Sequence, residues 1–360
     1  MADVPISGRQ LTLPDGPIYD LCRADRSEHV IGAFRGWAGY RDLGSDSATD
    51  GLALFQHVLS FGASDASGRT GIHCHLAHAH IVIPTSGRGV FSYDGVVTEA
   101  VPGVVIAQHG GTVHDQFEYS YKYESVEQTR RTPLSVDPAP PGVPVSTFGF
   151  LELFVPTTIA NVEIVPPALV TEVEQRSAWD HPYHTEGSSF AVQTPDAPEA
   201  AYRPVVDAPE LEARDAGTWE ATGGLVATWI VRPATPGAGP NDPVSLDIPD
   251  ETGGVTIYFV VSGWAEFVTP RGEEVTLNAG DTLTISQGLI GDPTGFSPDM
   301  RMVRFFIAAR AAELCERTAE EIDELEALGP KIITRQEVRP EGDTRPVNFL
   351  REEREAAAES

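Results

Sequence analysis

Cysteine and basic residues are both scarce in this chain. The three cysteines, Cys22, Cys74 and Cys315, are too few and too scattered for a disulfide framework, which fits a reducing compartment. Only 25 lysine and arginine residues stand against 53 aspartate and glutamate residues, a formal net charge of −28. Because nucleic acid and anionic membranes repel so acidic a protein, neither is an expected partner.

Long apolar runs are missing as well. No stretch approaches the roughly 18 apolar residues that a membrane-spanning helix needs. The N-terminal sequence MADVPISGRQ has neither the basic region nor the apolar region of a signal peptide. With the low cysteine content, these features predict a cytoplasmic location.

Histidine is present but unevenly placed. Residues 73–80 read His-Cys-His-Leu-Ala-His-Ala-His, His114 follows 34 residues later, and no histidine follows His184. Neutral imidazole is the commonest protein ligand for metal ions. This density predicts one transition-metal site in the N-terminal half of the chain.

Most of the chain reads as short strands separated by glycine, proline and aspartate. Examples are HIVIPTS at 80–86, FGFLELFVP at 148–156 and TIYFVVSG at 256–263. Such strands at regular spacing predict an all-β fold, either a sandwich or a barrel. The end of the chain differs, because the capping-box pattern in RTAEEIDELEALG predicts a helix over 317–329.

The two halves of the chain also repeat each other. A nearly constant offset between turn glycines predicts a duplicated β-domain. The offset is 176 residues for Gly87 and Gly263, and 177 residues for Gly95 and Gly272, Gly103 and Gly280, and Gly111 and Gly288.

At these residues the chain resembles the cupin superfamily. The first cupin motif, G(X)5HXH(X)3–4E(X)6G, is matched by His73, His75 and Gly87, with His80 in the glutamate position. The leading glycine, Gly68, is one residue closer than the motif asks. The second motif, PG(X)5PXG(X)2H(X)3N, is matched by Pro102, Gly103, Gly111 and His114, with His109 in the second proline position and Glu118 where the family often has asparagine.

The resemblance implies two cupin double-stranded β-helix (jelly-roll) barrels. Residues 1–165 are expected to form the metal-binding barrel with an N-terminal arm, 166–199 a connection, 200–315 a degenerate barrel, and 316–360 a charged helical tail. The offsets place Pro249 and Glu251 at the HXH positions of the second barrel, Thr256 at the glutamate position and Gly291 at the last histidine. The second barrel is therefore expected to hold no metal.

The predicted metal ligands are His73, His75, His80 and His114. His73 and His75 are two residues apart on a strand and point to the same face. His80 lies an odd step beyond His75, so that a bulge or bend must bring it to that face. Two alternatives stay open: His80 is a hydrogen-bonding neighbour of a three-histidine site, or His78 takes the fourth ligand position.

All-imidazole ligation suits a transition metal, with Fe(II) as first choice and Mn, Ni, Zn or Cu as alternatives. Three or four protein ligands leave coordination positions open, as in catalytic metal sites. His80 is also a predicted acid/base group, and His109 and Glu118 are further catalytic candidates beside the His114 strand. The loop 120–146, with Lys122, Arg130 and Arg131, is either a lid that binds a substrate carboxylate or a solvated excursion.

The leading functional hypothesis is a mononuclear metal-dependent dioxygenase acting on a small chelating aromatic or enol compound. An active first barrel beside a metal-free second barrel is similar to the gentisate and salicylate 1,2-dioxygenases, which are ring-cleaving bicupins. The rivals are a non-oxidative metal-dependent isomerase, lyase, decarboxylase or hydrolase, and a cupin that only binds a small ligand. The expected partners are a small-molecule substrate, dioxygen for the leading hypothesis, and further copies of the chain in a homo-oligomer.

Overall fold

The protein is described here by a computed structural model. It describes residues 18–31, 38–49, 51–60, 73–75, 77–93, 96–109, 112, 114–119, 134–138, 148–155, 160–163, 190–197, 200–235, 242–246, 253–269, 271–286, 291–314 and 331–334.

Strands dominate these segments. In chain order they are β1 (Ile18–Cys22), β2 (Val30–Ile31), β3 (Ala38–Asp42), β4 (Leu54–Ser60), β5 (His73–His75), β6 (Ala79–Ser86), β7 (Gly89–Tyr93), β8 (Val96–Ala100), β9 (Val105–His109), β10 (His114–Tyr119), β11 (Gly149–Val155), β12 (Ala160–Glu163), β13 (Phe190–Gln193), β14 (Arg203–Pro204), β15 (Leu211–Asp215), β16 (Val226–Pro233), β17 (Val255–Ser262), β18 (Trp264–Val268), β19 (Glu274–Asn278), β20 (Thr282–Ser286), β21 (Gly295–Phe296), β22 (Arg301–Ile307) and β23 (Lys331–Thr334). The helices are single turns, α1 (Ser45–Ala48), α2 (Thr218–Ala221) and α3 (Ala311–Leu314). In the described part of the chain, no helix is long and apolar enough to cross a membrane.

The strands form two barrels, each made of two antiparallel sheets. In the N-terminal barrel a sheet of order β13-β9-β6-β11-β4-β3-β2 faces a sheet of order β23-β12-β5-β10-β7-β8. In the C-terminal barrel the orders are β1-β20-β17-β22-β16-β15-β14 and β19-β18-β21. The predicted all-β fold with two barrels is confirmed.

Two cores share the central strands of the N-terminal barrel. Because side chains alternate along a strand, successive residues of β6 serve opposite faces. Val82 packs inside the barrel with Ile106 and Phe91, whereas Ile81 and Ile83 pack outside it. Strand β6 is therefore buried along its whole length.

The outer core joins the two barrels. It combines residues of the two seven-stranded sheets, which lie back to back. Phe55 of β4 meets Phe259 of β17 edge to face with ring centroids 5.8 Å apart, and Phe305 of β22 at 5.1 Å. Aromatic pairs in this geometry add to the energy of burial, so this contact should hold the barrels together.

Equivalent turns support the predicted duplication. Gly87, between β6 and β7, has a φ of 65°, and Gly263, between β17 and β18, has a φ of 68°. Gly103 and Gly280 precede β9 and β20 with φ values of 98° and 87°. Positive φ is readily adopted by glycine, so the repeated glycines mark the same backbone turns in both barrels.

The sheets cross the predicted segment boundaries in three places. Strand β1, expected in the arm of the first barrel, pairs with β20 of the second barrel. Strand β13 lies within the predicted connection 166–199 and pairs with β9. Strand β23 lies within the predicted helical tail 316–360 and pairs with β12. The predicted helix over 317–329 is outside the described residues.

Part of the predicted loop 120–146 is fixed between the barrels. Val136 is buried in the core that joins the barrels. Asp137 accepts a hydrogen bond from Tyr202, 3.1 Å away, and pairs with Arg301 at 2.6 Å. Val136 and Asp137 of this loop are therefore packed between the barrels, while Lys122, Arg130 and Arg131 lie outside the described residues.

His57 is buried on the outer face of β4, away from the barrel interior. Its Nδ1 lies 3.2 Å from Nε2 of His29, and its Nε2 lies 3.2 Å from the Thr85 hydroxyl. Burial, followed by the neighbouring charges of His29 and Arg41, holds the pKa of His57 well below its ordinary value. The folded protein therefore keeps this imidazole neutral.

Acid should destabilise the protein through His57. Below about pH 6.5 the unfolded chain binds a proton at this residue and the folded chain does not, so stability rises with pH across that range. We expect the free energy of unfolding to fall by up to about 1.4 kcal/mol per pH unit from this group. Denaturant titrations at several pH values between 7 and 5 give the free energy of unfolding, which should change less with pH in His57→Gln than in the wild type. An equal change with pH in both proteins would show that His57 does not cause this dependence.

Candidate metal centre

Three buried histidines meet inside the N-terminal barrel. His75 ends β5, His80 lies near the start of β6, and His114 begins β10. One ring nitrogen from each lies within 4.8 Å of the other two. The described histidine, cysteine, aspartate and glutamate side chains form one group compact enough to hold a metal ion, and it consists of these three histidines.

The cluster bridges the two sheets of the barrel. Strand β5 belongs to one sheet and β6 to the other, and the chain crosses between them after His75. Of the predicted alternatives, a bulge or a bend, the structure has a bend, because the chain turns from one sheet to the other between His75 and His80. His78 lies in the crossing, where its N–H donates to the Val155 carbonyl at 2.7 Å. It is half-buried and outside the three-histidine group.

Hydrogen bonds orient two of the imidazoles. Nε2–H of His80 donates to Oε1 of Glu152 at 2.8 Å, which leaves the lone pair on Nδ1. Nδ1–H of His114 donates to the Thr112 carbonyl at 3.1 Å, which leaves the lone pair on Nε2. Nδ1 of His80 is buried and has no hydrogen-bond partner in the described structure. A buried acceptor nitrogen in this position fits a metal ligand.

Glu152 connects His80 to a further strand. Nε2 of Gln56, on β4, donates to Oε2 of Glu152 at 2.6 Å. Phe154, two residues along β11, stacks on His80 with ring centroids 4.1 Å apart and an interplanar angle of 10°. Its ring also meets the His75 ring edge to face at 5.0 Å. His80 is thus fixed by a carboxylate at one nitrogen and by an aromatic face.

The structure describes the other predicted site residues only through their backbones. His73 lies opposite His114 in the pairing of β10 with β5. His109 ends β9 opposite Ala79, and Glu118 lies opposite Val90 beyond an irregularity in β10. The side chains of these three residues are outside the described part of the chain. The ligand role of His73 and the catalytic roles of His109 and Glu118 stay predictions.

Distant similarities accompany this architecture. Protein Ylba from E. coli is 11% identical, with 86% of this chain and 96% of that chain covered and a TM-score of 0.43. Procruciferin, an 11S globulin from Brassica napus, is 9% identical over 84% and 85% of the two chains, with a TM-score of 0.45. A deletion mutant of Bacillus subtilis oxalate decarboxylase OxdC is 9% identical over 84% and 80%, with a TM-score of 0.44. Similarity this low carries no argument about metal, substrate or activity.

No family model matches the chain, and no curated protein matches it in sequence. The fold therefore rests on the sheets themselves. The chain folds into two barrels of antiparallel strands, and its place in the cupin superfamily stays a prediction. The narrower similarity to gentisate and salicylate dioxygenases stays a prediction.

The C-terminal barrel has a different interior at the equivalent positions. Thr256 lies opposite Phe306, as His80 lies opposite Phe154 in the first barrel. Arg304 then takes the place in the register that Glu152 has in the first barrel. Its guanidinium is buried, 5.5 Å from the Trp229 ring centroid and 5.7 Å from that of Tyr258. A buried cation at this point does not favour a second metal site.

Sequence reasoning missed Glu152 and Gln56. In the strand FGFLELFVP, alternation places Glu152 on the same face as Phe150 and Phe154, so that a glutamate between two inward phenylalanines was the available signal. Its hydrogen bonds to His80 and Gln56 depend on which strands pair, which spacing does not reveal. Tyr93 is fully buried, which its place in the sequence does not reveal.

Removing the charge of Glu152 should weaken metal binding without removing a ligand. Carboxylates that hold a ligand imidazole typically contribute 10–100-fold in metal affinity. We therefore expect Glu152→Gln to lower the affinity for Zn(II) or Mn(II) by about 10–100-fold, measured by competition with a chromophoric chelator. Glu99→Gln, at an exposed glutamate paired with Arg88, is the matched control and should leave the affinity unchanged. Equal affinities for Glu152→Gln and the wild type would exclude this role.

Proposed function

We propose that the N-terminal barrel binds one divalent transition-metal ion through His75, His80 and His114, with His73 as a fourth ligand. The observation that carries the proposal is the convergence of three buried imidazoles, of which His80 has a ring nitrogen with no hydrogen-bond partner in the described structure. A buried polar atom left without a partner costs roughly 1–3 kcal/mol. Coordination of a metal removes that cost.

The residues around the cluster have different roles in such a site: they bind the ion, orient its ligands or exclude water. A bound ion would supply Lewis acidity and, if redox-active, a route for electrons. His80 and His114 are held by hydrogen bonds that leave their lone pairs on Nδ1 and Nε2, respectively, to bind it. Glu152 keeps the proton of His80 on Nε2 and adds a negative charge beside the site. Phe154 closes one side with an apolar ring and excludes water there.

Among proteins with such a metal site, we propose a dioxygenase with Fe(II), acting on a small chelating aromatic or enol compound. Neutral imidazole ligands leave the full charge of the ion available to chelating substrate oxygens. The orientation of His80 by Glu152 supports a second candidate, a non-oxidative isomerase, lyase, decarboxylase or hydrolase. In that case His73, His75 and His114 hold a redox-inert ion, and Nδ1 of His80, oriented by Glu152, accepts a proton beside it.

Metal analysis combined with an oxygen electrode tests these proposals. Iron in the purified protein, with oxygen uptake on addition of a catechol, a gentisate-type acid or a β-diketone, supports the dioxygenase. Zinc, nickel or manganese with turnover under anaerobic conditions supports the non-oxidative enzyme. A bound metal without turnover of any panel compound would favour a ligand-binding cupin, and no metal would contradict the whole proposal. A cytoplasmic location and a homo-oligomer stay predictions.

A further inference from the structure

Two buried polar side chains in the N-terminal barrel have unmet hydrogen-bonding capacity. Both amide atoms of Gln108 and the hydroxyl of Tyr93 have no hydrogen-bond partner in the described structure. Gln108 is 1% exposed and Tyr93 is 0% exposed. Buried polar groups in proteins are nearly always hydrogen-bonded, so these groups indicate a hydrogen-bonding partner from a bound ligand.

Both residues are cross-strand neighbours of the histidine cluster. Gln108 lies opposite His80 in the pairing of β6 with β9. Tyr93 lies opposite His114 in the pairing of β7 with β10, with ring centroids 5.7 Å apart. Side chains directly opposite each other on one sheet face are in contact range. The two residues therefore flank the cluster from the two different sheets.

Tyr93 is held as a hydrogen-bond donor. Its ring lies between Phe91, at a centroid distance of 5.6 Å, and Phe190, at 5.3 Å. Its phenolic O–H is a hydrogen-bond donor at neutral pH. The amide of Gln108 offers both a donor and an acceptor.

Charge distinguishes the ligands that this interior accepts. Arg41 of β3 is on the outward face, where it donates to the Gly280 carbonyl at 2.8 Å. Arg88 is in the hairpin after β6 and pairs with the exposed Glu99. Neither of these two arginines faces the interior, and Glu152 adds a negative charge beside the cluster. That charge disfavours a free carboxylate on the ligand.

We propose that Tyr93 and Gln108 are the substrate-binding residues of the metal site and select a small uncharged molecule that presents hydroxyl or carbonyl oxygens. The Tyr93 hydroxyl donates to one such oxygen, and the Gln108 amide donates to or accepts from a second polar group. This inference rests on the proposed metal site. It narrows the substrate class to uncharged catechol-like or enol compounds in preference to aromatic acids.

Binding of catechol and salicylate to the metal-loaded protein tests the inference. Catechol is uncharged at neutral pH, and salicylate offers a similar chelating group with a carboxylate. We expect Tyr93→Phe and Gln108→Leu each to keep the metal and to bind catechol about tenfold more weakly, as for one lost hydrogen bond. Each metal-free variant should melt at the same or a higher temperature than the wild type, because a buried polar group without a partner has been removed. The control Tyr258→Phe, in the second barrel, should change neither catechol affinity nor metal content.

The possible outcomes test this inference separately from the proposed metal-binding function. A wild-type protein without metal overturns the proposed function and the inference together. Retained metal with unchanged catechol affinity in both variants overturns the inference alone. So does salicylate binding as tight as catechol binding, or a wild type that binds metal but no catechol. A lower melting temperature in both metal-free variants would assign the two side chains a structural role and would also overturn it.

Discussion

Alanine at position 114 abolishes tight metal binding by the N-terminal barrel. His114 supplies one of only three described imidazoles in the cluster, and the bond from Nδ1–H to Thr112 leaves its lone pair on Nε2. Loss of a ligand should cost more than the 10–100-fold typical of residues that only orient ligands, so we expect a loss of at least about 100-fold. Titration of the metal-free protein with Zn(II) or Mn(II) measures this affinity.

His78→Ala is the matched control for this prediction. His78 belongs to the same histidine-rich run but lies outside the cluster, and its described hydrogen bond to Val155 uses only the backbone N–H. The control should bind metal within a few-fold of the wild type. If His114→Ala kept full affinity while His78→Ala lost it, the ligand set proposed here would be wrong.

Truncation of Phe55 to alanine destabilises the protein by about 3–5 kcal/mol, the range found for buried phenylalanines. Phe55 is completely buried, and its ring contacts Phe259 and Phe305 of the other barrel. The cavity would therefore open where the two barrels meet. Chemical unfolding, followed by tryptophan fluorescence, measures the change in midpoint and slope.

Val97→Ala provides the control for the Phe55 variant. Val97 is an apolar strand residue that is 66% exposed, so its truncation should change stability by less than about 0.5 kcal/mol. An effect of Phe55→Ala that is as small as that of Val97→Ala would contradict the described packing of the two barrels.

The sequence predicts the architecture well because its signals are local. Gly87 and Gly263 occupy equivalent left-handed turns, and this backbone requirement is written into the residue type. The spacing of His75, His80 and His114 can likewise be read directly from the sequence, and it predicts that they lie in one barrel. The duplication and the approximate site could therefore be predicted without a structure.

The rest depends on pairing between distant segments. Gln56 and Glu152 are 96 residues apart and meet only because β4 and β11 are neighbours. The pairing of β1 with β20 joins residues 260–268 positions apart, which no local pattern specifies. The burial of Tyr93 likewise follows from packing against Phe91 and Phe190. Sequence periodicity shows which face of its strand a side chain occupies, but not which strand or sheet that face packs against.

X-ray absorption spectroscopy at the metal edge of the purified protein tests the central claim most directly. We predict one equivalent of a divalent transition metal per chain, with three or four imidazole nitrogens among its ligands and open positions filled by water. His114→Ala should lose the metal or show one imidazole fewer. A protein that holds no metal, or a metal bound without imidazole ligands, would contradict the assignment of this barrel as a metal centre.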